Sequence, residues 1–289
     1  MYEAKIIKDS ICNGHRLTTM QLTHPRIVHA EFNTHCMFAR NASSSRAIPF
    51  SKVLQRVIDD PFIPKHWGVN QSGMQAAENL EGDNREAAIR YWLRARDQAI
   101  EIAKTMADKD GLNVHKQIVN RLLEPWSWIT VCVTGDSGAW SNYFALRCEK
   151  DAQPDIQEQA YMAQYAYFTS IPQELNSGDW HTPYVSDDEK KQCGDTVIQV
   201  SVGRCARTSY LTQEGVRDFS EDIKLHDRLR YHTPLHASPF EHVCMAMGND
   251  LRYAKYTGWQ AYRNSLPREY VTDFVPNHSE LVQKIGCCK

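Results

Sequence analysis

The chain has 289 residues, of which 42% are hydrophobic and 24% charged, and its net charge is −2. That balance suits a globular protein of one large domain or two small ones, and it lacks the basic excess that draws in nucleic acid. No run of about 18 apolar residues is present, which excludes an expected transmembrane helix.

In chain order, residues 4–12 and 15–23 alternate as a β-hairpin around Asn13-Gly14. Pro25 opens a helix carrying Ile27 to Thr34, a serine cluster follows, and Pro49 marks a boundary. Residues 84–110 form a long helix, with Ala88, Tyr91, Trp92, Ala95, Ala99, Ile102 and Met106 at helical spacing; Gly111 stops it. Tyr91-Trp92, Trp126 and Trp128 read as core. Val114 to Leu123 is a second helix ended by Pro125, and Trp126 to Thr134 fits helix or strand. Ser141 to Cys148 and Ile156 to Phe168 read as helices. The polar segment 171–195, with Trp180-His181-Thr182-Pro183 inside it, is a lid or linker loop. Val197 to Val202 reads as a strand, Asp218 to Arg230 as a charged helix, Phe240 to Met247 as a strand and Leu251 to Arg263 as a helix. The sum is an α+β chain, a central helical block between β-rich ends, within a single domain.

The nine cysteines show no Cys-x-x-Cys spacing, and Cys287-Cys288 are adjacent, so neither a disulfide framework nor a metal site is expected. Together with an N-terminus that lacks a signal-peptide core, this points to a reducing, cytoplasmic setting.

Chemistry concentrates between Glu31 and Arg46, where His35, Cys36, Arg40, Asn41, Ser43, Ser44, Ser45 and Arg46 crowd together. Hydroxyls, backbone N–H groups and guanidinium at this spacing can hold a phosphate. A second concentration lies at His236-Ala237-Ser238-Pro239-Phe240-Glu241-His242.

Three blocks together resemble the flavin-dependent thymidylate synthases, the ThyX family. The family's Arg-His-Arg, Ser, Asn, Ser, Arg-Tyr signature is similar to Thr34-His35-Cys36, Ala39, Asn41, Ser44 and Arg46-Ala47. Its Leu-Arg and Ala-Gln-x-Glu-Ile stretch is similar to Leu146-Arg147 and Ala152-Gln153-Pro154-Asp155-Ile156. Its Ala-Arg-x-Ser and His-x-Thr-Pro-Phe-Glu-His resemble Ala206-Arg207-Thr208-Ser209 and the block at 236–242. The last block comes first in typical members, so the chain reads as a circular permutant, joined through 171–195. Such rearrangement is tolerated where the termini of a domain lie close together.

The resemblance implies an α+β fold with an antiparallel sheet, and a homotetramer with active sites at subunit interfaces. It implies FAD as cofactor, 5,10-methylenetetrahydrofolate as co-substrate and a deoxypyrimidine monophosphate as substrate. Ser44, Ser45 and Arg46 match the phosphate turn; Arg147 matches the arginine at the pyrimidine ring, and Glu31 lies where the family often has Gln near the nucleotide. His35, Asn41, Asn142, Ser209, Ser238 and Glu241 match or approximate flavin contacts, and His236 a position near folate and flavin. Arg147, His35, Cys36 and Ser44 are thus the catalytic candidates, with Cys36 either a nucleophile toward ring C6 or a small buried thiol.

The departures gather on the flavin side: Thr34 and Cys36 replace arginines, Ala42 an acid, Ala47 a tyrosine, and Gly138 the arginine near the flavin adenosine. Reduction to thymidylate needs a hydride from flavin, and NADPH behind it. Quenching the same exocyclic methylene with water makes a hydroxymethyl group and needs no net hydride. The favoured expectation is therefore a dCMP or dUMP hydroxymethylase, with FAD-dependent conversion of dUMP to dTMP as the alternative. A nucleotide-binding homologue without catalysis is the rival of another class.

Overall fold

β1 (Glu3–Cys12) and β2 (His15–Pro25) form the hairpin, closing at Cys12↔His15. Asn13 and Gly14 take φ of 47° and 82°, as a two-residue turn matching strand twist requires. The computed structural model describes residues 1–210 and 218–267; Cys287-Cys288 lie outside these.

A 3-10 turn at Arg26–Val28 leads into α1 (His29–Asn33), then β3 (Ala39–Ala42), α2 (Phe50–Asp59), α3 (Gly82–Ala107) and the single turn α4 (Lys116–Val119). β4 (Trp128–Asp136) follows, then α5 (Ser137–Arg147) and α6 (Pro154–Thr169). Next come β5 (Gln173–Glu174), β6 (Trp180–His181), α7 (Asp187–Cys193), α8 (Val197–Arg207) and α9 (Phe219–Arg230). Short strands end the described chain: β7 (Cys244–Ala246), β8 (Arg252–Tyr253), β9 (Tyr256–Thr257) and β10 (Trp259–Ala261).

The main sheet has the order β3-β4-β2-β1-β5, antiparallel except for the short β1–β5 pair. Its register pairs Met20 with Val133 and Leu22 with Val131, and, one residue over, Thr19 with Thr134, Gln21 with Cys132 and Thr23 with Thr130. Because side chains alternate along a strand, one face is apolar and the other is lined with hydroxyls and Asn41, which pairs with Cys132. Trp140, Tyr143 and Phe144 of α5 and Ile156, Ala160 and Ala163 of α6 cover the apolar face, joined by Phe32 and Phe38. A satellite core at Val57, Ile100, Ala103, Val119, Leu123 and Trp126 binds the central helices to one another.

Polar side chains on the other face are paired. Ser10 Oγ lies 2.9 Å from His181 Nδ1, and His181 Nε2 lies 2.8 Å from Thr19 Oγ1. Thr19 Oγ1 meets Thr134 Oγ1 at 2.6 Å, and Thr134 Oγ1 meets His242 Nδ1 at 2.8 Å. All five residues are buried, and burial holds His181 neutral.

Several expected elements differ. Val197 to Val202, expected as a strand, begins α8; its β-branched run is enclosed against α9, where a short apolar segment satisfies either period. A Cβ on Gly203 would come within 2.3 Å of the Asp222 carbonyl oxygen, so glycine is what permits this close helix contact. Leu251 to Arg263 is not a helix but three short strands and a 3-10 turn, with positive φ at Ala254 and Gly258 turning the chain. Of Phe240 to Met247, only Cys244–Ala246 is strand, and Ser238–Glu241 is a 3-10 turn. The helix expected over 114–123 divides into α4 and a 3-10 segment, Asn120–Trp126, that contains Pro125. The segment 171–195 is not an open loop: β6 pairs with β7, His181 and Thr182 are buried, and a Ser186/Glu189 capping box starts α7. Trp126 is core, whereas Tyr91 is 69% exposed, pointing off the buried stripe of α3.

Candidate active site

α1 and the C-terminal turn of α5 bring Glu31, Thr34, His35 and Arg147 together. Arg147 Nε donates to His35 Nε2 at 2.9 Å; Nη1 reaches Glu31 Oε2 at 3.4 Å and Nη2 reaches Thr34 Oγ1 at 3.3 Å. The His35 ring must therefore carry its proton on Nδ1. Burial, then the charges of Arg147 and Arg40, push His35 down to about 4, so it is neutral at pH 7. His35 packs edge-on against Tyr143, 4.9 Å between centroids, which fixes the ring plane. The guanidinium is thus clamped at Nε and, among the described residues, held by long contacts at its two outer nitrogens. Arg40 Nη1 stitches the underlying turn by donating to Asn33 O at 2.6 Å and His35 O at 3.2 Å.

The second group joins the distant sequence blocks. Asn41 Nδ2 donates to Cys205 O at 2.7 Å, while its Oδ1 accepts from Ser209 Oγ at 3.1 Å and Ser238 Oγ at 3.3 Å. Ser44 N donates to Ser209 O at 3.0 Å. Asn41 is buried, Ser209 intermediate and Ser238 exposed, so the three make a polar ladder from core to surface. Beside it, Cys132 Sγ lies 3.7 Å from His242 Nδ1. Burial opposes ionising the Cys132 thiol, but hydrogen bonding with Cys205 and the His242 imidazole lower it, and Cys205 is pushed up by burial.

In the turn that follows β3, Ser43 and Ser45 are buried, Ser44 is half-buried and Arg46 is exposed. Ser44 Oγ accepts from Arg46 N at 3.3 Å, and Ser44 O accepts from Ala47 N at 3.0 Å, which tightens the turn. Among the described residues, no hydrogen bond or ion pair joins Arg147 to Ser44, Ser45 or Arg46. Asn142 is exposed on α5. His236 is exposed and meets His232 edge to face, 4.2 Å between centroids. Cys36 is exposed, which corrects the expectation of a buried thiol. Glu241 is paired with Lys255 Nζ at 3.1 Å and with Arg263 Nη1. Sequence reasoning missed both cations because it placed them on a helix; it also read Thr34 only as a lost arginine, although its hydroxyl meets Arg147. At Gly138, an added Cβ would meet Asp136 Oδ1 at 3.5 Å and Met37 Cε at 3.7 Å, ordinary contacts, so packing does not demand glycine there.

No protein-family model matches the chain, and no curated protein matches it by sequence. Solved structures do align. Thymidylate synthase X from Helicobacter pylori, with FAD and dUMP, aligns at 12% identity and TM-score 0.39, over 52% of this chain and 67% of that one. The UMP/dUMP methylase PolB from Streptomyces cacaoi, bound with 5-Br UMP, aligns at 13% identity and TM-score 0.48, over 58% of this chain and 88% of that one. The same methylase bound with 5-Br dUMP aligns at 16% identity and TM-score 0.40, over 53% of this chain and 65% of that one.

Proposed function

We propose that the protein transfers a one-carbon unit from 5,10-methylenetetrahydrofolate to C5 of a deoxypyrimidine monophosphate, leaving a hydroxymethyl group on dCMP or dUMP. The observation that carries this reading is Asn41, bonded to both Ser209 and Ser238. The signature block and the Pro-Phe-Glu block stand far apart in the chain and in inverted order, yet they meet at one side chain.

In this reading Arg147 is the pyrimidine anchor. Neutral His35 fixes its orientation through Nε, and the ring edge of the nucleotide displaces the long contacts to Glu31 and Thr34. A guanidinium so held stabilises negative charge developing on the ring. Ser44, Ser45 and Arg46 hold the phosphate, with the exposed guanidinium of Arg46 meeting its charge. By the same family resemblance, the reading carries with it a homotetramer whose sites form between subunits.

Ser209 and Ser238 keep free acceptor lone pairs and suit the uncharged edge of a flavin, with Asn41 orienting them, Asn142 and His236 accessible, and Glu241 tied to its cations. When bound, FAD would supply hydride chemistry. The absence of arginine at Cys36 and Gly138, which sterics at Gly138 do not explain, favours the redox-neutral outcome. There, the C5 hydrogen leaves as a proton, tetrahydrofolate leaves, and water adds to the exocyclic methylene.

The test is incubation with dCMP or dUMP and labelled methylenetetrahydrofolate, with and without NADPH, and product identification by mass. A hydroxymethyl nucleotide formed without NADPH is expected. Thymidylate formed only with NADPH would reverse the choice of product, and tight binding with no turnover would leave a non-catalytic homologue.

A further inference from the structure

We infer that the cavity between α2, the Asn120–Trp126 segment and the hydroxyl face of the sheet binds an uncharged, planar heterocycle carrying an exocyclic amino group, the class of cytidine and adenosine. The cavity holds about 380 Å³, in the range of small-molecule sites. Val53 and Val57 of α2, with Ile48 and Trp126, give it apolar walls, and Ser43 and Thr130 line the sheet side.

Asn120 supplies the polar group that selects the ligand. Its side chain is fully buried and lines the cavity. Nδ2 donates to Ser45 O at 2.7 Å and Ile48 O at 3.0 Å, which fixes the amide orientation. Oδ1 has no hydrogen-bond partner among the described residues. A buried acceptor left unpaired is costly, and a ligand N–H removes that cost. Charge argues against a phosphate here: Glu3, Asp59, Asp60 and Glu124 line the cavity against Arg26 and Arg56, and Arg26 is held by Glu124 at 3.0 Å. An aromatic amine on a neutral ring meets all these conditions. The cavity reaches Ser45 of the proposed phosphate turn, but the inference does not rest on the proposed reaction, whose nucleotide is a monophosphate and whose phosphate meets the turn at its exposed side, by Arg46.

The protein is labelled with 5-fluorotryptophan and titrated with cytidine, adenosine, uridine, inosine and CMP by fluorine NMR, with the Trp126 resonance assigned from Trp126→Phe. Cytidine and adenosine should shift that resonance, with uridine and inosine weaker by about tenfold or more, because their base N–H sits beside a carbonyl oxygen that the acceptors around Asn120 Oδ1 repel. CMP should bind no tighter than cytidine. Val53→Phe fills the cavity and should abolish the shift while the other tryptophan resonances stay in place. Val53→Leu, a smaller filler, should weaken binding in the same direction if the phenylalanine variant does not fold. No shift with any nucleoside at millimolar concentration, equal binding of uridine and cytidine, tighter binding of CMP, or undiminished binding by both fillers would each overturn the inference. None of these outcomes depends on turnover with methylenetetrahydrofolate, so the two readings fail separately.

Discussion

Asn41 has one amide and three partners, drawn from α8, the turn that follows it and the 3-10 turn at Ser238. Asn41→Ala leaves the Cys205 carbonyl and two hydroxyls without it, and should cost about 1–3 kcal/mol in denaturant unfolding. A cost near zero would mean that the ladder does not hold the blocks together. Arg147 gives a sharper test, because its neighbour reports on it. Removing its charge in Arg147→Ala should raise the His35 pKa from about 4 toward the ordinary 6.5, read by NMR titration of the ring. Arg147→Lys keeps the charge but loses the planar fork; kcat should fall about 10²-fold with stability unchanged.

At the scale of elements, α7, α8 and α9 are clasped by charge. Arg204 Nε donates to Asp222 Oδ2 at 2.9 Å, Arg207 Nε to Asp222 Oδ1 at 2.6 Å, and Arg204 Nη1 to Glu189 Oε2 at 2.9 Å. Asp222 is 1% exposed, so Asp222→Ala removes one of the two carboxylates that hold the buried Arg204 guanidinium and the carboxylate that Arg207 Nε meets, and should cost about 3–5 kcal/mol, measured by thermal or denaturant unfolding. The end of β2 and α1 form an acid-sensitive patch. Burial pushes His24 down to about 3 and His29 to about 4, and the two rings stack with His24 Nε2 3.2 Å from His29 Nδ1. With His35 also depressed, all three stay neutral when folded but bind protons near 6.5 when unfolded. Their contribution is fully present above pH 6.5 and is lost as pH falls through about 4 for His29 and His35 and about 3 for His24. Hydrogen exchange of α1 should accelerate across that window, and a flat profile would contradict the assignment.

At the scale of the molecule, the proposed inversion of the block order needs the ends of the described chain to pack on one sheet. They do so through Thr134 and His242, and through Trp259, whose indole donates to His15 O at 3.1 Å. The proposed single domain should therefore unfold in one transition, coincident by near-UV and far-UV circular dichroism. Two separated transitions would show independent halves.

The hairpin, α3, α5, α6 and α9 were legible because each carries a local signature: positive-φ residues at a turn, or apolar residues at one clear period. The family resemblance singled out Asn41, Ser209 and Ser238 from the sequence as flavin contacts, but not that they form one hydrogen-bonded ladder. It could not place α8 or β8 to β10, where a short apolar run fits both periods and the packing partner decides. Only the tertiary structure decided that Arg147 is clamped by neutral His35, that the polar segment 171–195 is tied into the core through His181, and that Asn120 turns an unpaired oxygen toward a cavity. Each of these depends on contacts between residues distant in the chain, and their strength comes from desolvation, which no local pattern encodes.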